Sequence, residues 1–267
     1  MSYTKINYSA CDGIATIELN EPPANAYSYD MMREIDDAVL VARMDASVHV
    51  IVLRGAGEKF FCAGANIGML EQADPAFKYY FCLHANETLN RLEQTPKLVI
   101  AALNGHAVGG GLEVAMAADI RIAKKDAGKI GLPEVALGVL PGTGGTQRLA
   151  RLVGKSRALE LMVAGRLMSF DEAKDIGLVN DVWDESALGG KSFSAAVHQY
   201  ARQFTPPNKA SKAVGRIKRA VQSGIEMSLA DGLAIERELQ QLLFESQDAR
   251  EGITANVAKR KPVFRGT

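Results

Sequence analysis

Short apolar runs of strand length alternate with segments of helical period over the first half of the chain, and this alternation restricts the fold more than any other feature. Residues 13–19 place Ala15, Ile17 and Leu19 on one side of an extended segment, which the turn Glu21-Pro22-Pro23 closes. Residues 28–44 carry Met32, Ile35, Val39 and Leu40 at helical spacing, and residues 48–53 then read as a buried strand, completing a βαβ unit. A second apolar strand over 98–103 runs into the loop 104–111, followed by good helix formers over 112–118 and a short strand candidate over 119–123. Such an order predicts an α/β fold with a mainly parallel sheet. After about Gly142 the pattern turns to successive helices, one of them opened by Ser169-Phe170-Asp171-Glu172 in the form of a capping box. Pro206-Pro207 separates residues 192–204 from amphipathic helices reaching about Lys259, so the expected division is a core domain over 1–205 and a helical region over 206–267.

Composition excludes several function classes. With 267 residues, 47% hydrophobic and 23% charged, the chain can bury a large core and is neither disordered nor fibrous. The 31 basic and 31 acidic residues balance, which removes any global attraction to nucleic acid or to an anionic membrane surface. Only Lys209, Lys212, Arg216, Lys218 and Arg219 are dense enough to form a basic face. Cys11, Cys62 and Cys82 have no CxxC spacing, which suggests neither a disulfide framework nor a zinc site and fits a reducing compartment. No basic start followed by an apolar run opens the chain, and no stretch reaches the roughly 18 apolar residues that span a bilayer. The expected location is the cytoplasm.

Three segments have the composition of a reactive site. Asn104-Gly-His-Ala-Val-Gly-Gly-Gly-Leu-Glu113 lies between a buried strand and a helix, where glycines let the backbone approach a ligand and leave the first helical N–H groups free for an anion or oxyanion. Nucleotide motifs fail on spacing: Gln147 stands where GxGxxG needs its last glycine, and Leu149 stands where a P-loop ending in Gly154-Lys155-Ser156 needs its first. Glu113 is a carboxylate one turn into an apolar helix, without an evident cationic partner. Glu134, in Gly131-Leu132-Pro133-Glu134, again places an acid among apolar neighbours. Two glutamates meeting in a dry pocket titrate as a coupled pair and supply one general acid and one general base. The third segment, Lys59-Phe-Phe-Cys-Ala-Gly-Ala-Asn-Ile67, is another glycine-bearing strand-to-helix turn, whose free N–H groups could complete a two-donor oxyanion hole.

Taken together, FCAGANI at 61–67, NGHAVGGGLEVAMAADIRIA at 104–123, GLPEVALGVLPGTGGTQRLARLVG at 131–154 and KRKP at 259–262 resemble the crotonase, or enoyl-CoA hydratase/isomerase, superfamily over nearly the whole chain. The resemblance implies a β-β-α spiral core with a C-terminal helical trimerisation region, assembled as a hexamer of two trimers. It also implies a coenzyme A thioester substrate, a 2-enoyl-CoA hydrated to a 3-hydroxyacyl-CoA as in fatty acid β-oxidation, with no metal or separate cofactor. Carried over residue by residue, the oxyanion hole falls on the N–H groups of Ala65 and Gly110, the two acids on Glu113 and Glu134, and the glycine backing the catalytic water on Gly142. Contacts to coenzyme A fall on Ala24, Ala26, Ala63, Asn66, Ile67 and Pro141, with Lys59 and Lys259 against its phosphates, the latter from a neighbouring subunit.

The chain departs from the family pattern at a few places. The interval between the glutamates is one residue longer, through Lys124-Lys125-Asp126-Ala127-Gly128-Lys129; Asn66 stands where aspartate is common, and Asn256 where an aromatic often covers the coenzyme. The pair Tyr27 and Tyr29, near the expected pocket entrance, suggests a cyclic or branched acyl group. Competing readings are isomerisation, dienoyl-CoA hydration or thioester hydrolysis on the same scaffold, RNA binding through the basic face, and a structural subunit. Two carboxylates favour hydration, since an isomerase can manage with one acid/base group.

Overall fold

A computed structural model describes residues 3–267. The chain runs β1 (Ile6–Cys11), β2 (Ile14–Leu19), α1 (Tyr29–Met44), β3 (Val50–Gly55), β4 (Phe60–Cys62), α2 (Ile67–Gln72), α3 (Pro75–Glu93), β5 (Leu98–Leu103), β6 (His106–Val108), α4 (Gly110–Met116), β7 (Ile120–Lys124) and β8 (Ile130–Gly131). A 3-10 turn over Glu134–Leu137 follows, then α5 (Gly145–Val153), α6 (Lys155–Val163), α7 (Phe170–Asp175), β9 (Asp181–Trp183), α8 (Phe193–Ala201), α9 (Ser211–Gly224), α10 (Leu229–Phe244) and α11 (Gln247–Val257).

These strands form a six-stranded sheet of order β1-β2-β3-β5-β7-β9 and a three-stranded sheet of order β4-β6-β8. Only β1 runs antiparallel to its neighbour. Parallel neighbours need crossovers, and the segments between β2, β3 and β5 supply them as α1 and α3. Because both faces of the central strands are covered, β3 and β5 read as continuous apolar runs, VIVL and LVIAAL. Alternate residues still sort by face. Ala15, Ile17, Leu19, Ile51, Leu53, Val99 and Ala101 join the main core with α1 and α3, whereas Ile14, Val50, Val52, Ile100, Ala102 and Ile122 pack under α8 through Phe193, Val197 and Ala201.

Several expectations shift in detail. The predicted strand at 48–53 lies at Val50–Gly55, and two strands outside the reading, β1 and β9, close the two edges of the large sheet. The capping box forms: Ser169 Oγ accepts from the Glu172 N–H at 3.2 Å and Glu172 Oε2 accepts from the Ser169 N–H at 2.9 Å. The five-residue basic face does not form as expected. Lys218 is buried, paired with Asp119 at 2.8 Å and donating to the Lys97 carbonyl at 3.0 Å. Gln222 and the Val99 N–H also donate to Asp119, so this cluster ties α9 to the foot of β5 and withdraws its central charge from solvent. Among the described residues, no helix is long and apolar enough to cross a membrane.

Candidate active site

The site is built where the chain passes from the large sheet to the small one. β5 ends at Leu103, and the Asn104 amide then accepts from the Gly55 N–H at 2.9 Å and donates to the Gly57 carbonyl at 2.8 Å, turning the chain into β6. β6 lies beside β4 and feeds α4 through Gly109, whose φ of +57° is a left-handed conformation that glycine adopts without a Cβ clash. The second strand-to-helix turn, after β4, is pinned to Tyr27: the Tyr27 N–H donates to the Gly64 carbonyl at 2.8 Å and the Asn66 N–H to the Tyr27 carbonyl at 2.9 Å. That pairing skips Ala65. Its N–H, like the Gly110 N–H that opens α4, has no acceptor among the described residues. The two turns adjoin, since a Cβ built on Gly64 would stand 3.0 Å from the Gly110 nitrogen. Both N–H groups border one cavity of about 570 Å³.

Glu113 sits one turn into α4, facing the same cavity, and is only 2% exposed. Among the described residues no cation pairs with it; Oε1 accepts the N–H groups of Thr143 and Gly145 at 2.7 and 2.6 Å. Burial pushes its carboxyl up to about 7 against the pull of those two donors and of the Thr143 side chain, and the charge of Glu134 adds to the rise. Glu134 enters from the other side on the 3-10 turn and lies against Gly109, where a built Cβ would fall 2.8 Å from Oε1. Its Oε2 is buried with no hydrogen-bond partner among the described residues, and burial raises its pKa as well. Two acids in one apolar cavity, one anchored and one with a free oxygen, are equipped to hold a water and to exchange protons at two points.

The sequence-predicted residues divide on this geometry. Ala65, Gly110, Glu113, Glu134 and Gly142 border the cavity together with Ala63 and Ile67. Ala24, Ala26, Lys59, Asn66, Pro141 and Lys259 do not border it within this chain. The Ala24 carbonyl accepts from the Ala63 N–H at 3.1 Å and so backs the wall from behind. The Asn66 side chain is engaged as the N-cap of α2, accepting from the Met69 N–H at 3.0 Å. Pro141 is buried beside Gly145, and Lys59 and Lys259 are solvent-exposed. Of the tyrosine pair, only Tyr27 faces the cavity; Tyr29 packs on Phe77 and His84 outside it. Thr143, Phe81 and Cys82 border the cavity unforeseen. A polar Thr143 directly after the Pro141-Gly142 stretch was the one available sign. The segment singled out between the glutamates forms a turn between β7 and β8 in which Asp126 takes a φ of +56°.

The family model for enoyl-CoA hydratase/isomerase matches residues 9–267. The chain is 39% identical to a short-chain-enoyl-CoA hydratase of Clostridium acetobutylicum, over 93% of this chain and 92% of that one. It is 37% identical to a crotonyl-CoA hydratase of Syntrophomonas wolfei, over 99% of each. The solved enoyl-CoA hydratase structure of Geobacillus kaustophilus superposes with a TM-score of 0.95 at 44% identity, covering 100% of this chain and 98% of that one. With a family model spanning nearly its full length and full-length relatives above a third identical, the chain belongs to the enoyl-CoA hydratase/isomerase, or crotonase, family.

Proposed function

We propose that the protein adds water across the α,β double bond of a 2-enoyl-CoA thioester to give a 3-hydroxyacyl-CoA. The observation that carries this reading is the meeting of two buried carboxylates with two acceptor-free N–H groups in a single cavity. In the proposed reaction the thioester oxygen accepts from Ala65 and Gly110, which stabilises the enolate-like state and leaves the β-carbon electron-poor. Water held between the acids forms its C–O bond to that carbon and passes a proton to the Glu113 carboxylate. Glu134 delivers its own proton to the α-carbon, and proton exchange through the pair restores the starting state. Both reactive hydrogens are accounted for, and coenzyme A enters only as part of the substrate. The names of two relatives, a short-chain-enoyl-CoA and a crotonyl-CoA hydratase, support hydration over isomerisation.

The test is direct. Purified protein is expected to hydrate crotonyl-CoA, followed by loss of the conjugated enoyl thioester absorbance. A folded protein inactive on short, long and cyclic enoyl-CoAs alike would overturn the reading.

The division at residue 205, the cytoplasmic location, a place in β-oxidation and assembly as a hexamer of two trimers belong to the same proposal. Exposed Ile217, Val221 and Ile225 on and just after α9, with Leu229, Leu233 and Phe244 on α10, support burial of these helices between subunits. Light scattering is expected to give six times the chain mass; a monomer at micromolar concentration would contradict it.

A further inference from the structure

Tyr27 forms one wall of the cavity as a buried phenol that touches both halves of the site. On one side its ring occupies the space a side chain at position 110 would need, since a Cβ built on Gly110 would overlap the phenol oxygen and stand 2.6 Å from Cε1. On the other, its hydroxyl lies 3.1 Å from Thr143 Oγ1. Thr143 is the residue whose N–H donates to Glu113 Oε1, two positions before Gly145, which donates to the same oxygen. Phe81 holds the ring from behind at a centroid distance of 5.8 Å.

We propose that Tyr27 is a positioning residue: its hydroxyl ties the loop 142–145 to the Gly110 turn, so that the two N–H donors to Glu113 are held at fixed distance from the oxyanion donors. Asn86 and Arg148 still hold the loop through the Gly142 and Thr143 carbonyls at 3.0 and 3.4 Å, so losing the hydroxyl loosens only its cavity side, and the carboxylate loses part of the support its charged form receives. The prediction has a sign: weaker donors leave the anion less stable, so the Glu113 midpoint moves to higher pH. The titratable groups facing Glu113 are Glu134 from the 3-10 turn, Cys82 from α3 and Tyr27 itself, with Cys62 behind the phenol. Burial holds the Tyr27 phenol well above its ordinary range, so it stays protonated throughout. The inference rests on the hydration reading only for the identity of the reaction.

The experiment titrates Glu113 directly, by carboxyl 13C NMR of glutamate-labelled protein with the resonance assigned through Glu113→Gln. Tyr27→Phe, which keeps the ring, is expected to raise the Glu113 midpoint and to lower kcat for crotonyl-CoA hydration about tenfold with KM within about twofold. Thr143→Val keeps the backbone N–H but removes a hydroxyl that itself helps hold the Glu113 charge, so it is expected to raise the midpoint at least as far as Tyr27→Phe, and the double variant to go no further than Thr143→Val alone. An unchanged midpoint in Tyr27→Phe, or additive effects in the double, overturns the proposal whether or not the protein hydrates crotonyl-CoA. A raised midpoint in Tyr27→Phe, with a wild-type protein that hydrates no enoyl-CoA, upholds Tyr27 and overturns only the reaction.

Discussion

Glu113→Gln is expected to lower kcat for hydration by about three orders of magnitude, the upper range for loss of a positioned acid/base group. The substitution keeps the shape of the side chain and an acceptor oxygen for the Thr143 and Gly145 N–H groups, so the loop at 142–145 has no reason to move. What disappears is the ability to take a proton from water. The wild-type profile should show the same dependence: with the Glu113 carboxyl at about 7, hydration rises as pH climbs through that value and the base ionises. A stability effect of opposite sign accompanies the loss of rate. A carboxyl raised by burial contributes stability that is present in full below its unfolded value and lost as pH rises through the folded one. Above neutrality the wild-type protein therefore carries an unfavourable buried charge that glutamine lacks. The stability gain of Glu113→Gln over wild type, read as a difference in Tm, should grow between about pH 4 and about pH 8 and correspond to a few kcal/mol at most. Near-wild-type turnover would remove Glu113 from the reaction; a Tm difference independent of pH would show that its charge is not the buried burden the geometry implies.

Gly110→Ala is the second large effect, and its origin is steric. The added methyl group would overlap the Tyr27 phenol and stand 2.7 Å from its Cζ, with Phe81 packed behind the ring. Either the ring or the start of α4 shifts, and in the second case the Gly110 N–H swings away from the thioester oxygen. Loss of one such donor lowers kcat about 100-fold or more. Steady-state kinetics with crotonyl-CoA tests the size. A double variant, Gly110→Ala with Tyr27→Val, tests the cause: the smaller side chain makes room and should recover part of the lost rate. Full activity in the single variant, or no recovery in a folded double variant, would sink the explanation.

Legibility of the fold in the sequence followed the amount of apolar pattern each element carries. Residues 98–103 match β5 and residues 28–44 match α1 with its Ser28 cap, because a doubly covered strand and a long amphipathic helix write their burial plainly. β1 escaped notice: at the sheet edge it buries only Ile6, and the rest of the strand is half-buried or exposed. β4, β6 and β8 are two or three residues long, too short for any period to register, yet they hold the reactive turns together. In the site, the two glutamates and the glycine turns stood out by type and surroundings. The groups that hold Glu113 did not, since its donors are backbone N–H groups of Thr143 and Gly145, about thirty residues on, and a main-chain donor leaves no mark in the side-chain alphabet. Lys218 misled for the same reason in reverse: its spacing with Arg216 and Arg219 looked like a solvent face, while its partner Asp119 lies a hundred residues away.

The two acceptor-free N–H groups at Ala65 and Gly110 belong to the main chain, and this sets how the protein can change under mutation. A single codon change can erase either carboxylate at once. Neither N–H can be erased that way except by proline, because every other residue supplies the same group. Inheritable variation in such a pocket therefore falls on the acids and on the walls, while the pair of unpaired main-chain donors persists. If the proposed reaction holds, a descendant that lost Glu113 or Glu134 would keep both donors and stand one carboxylate away from a different reaction.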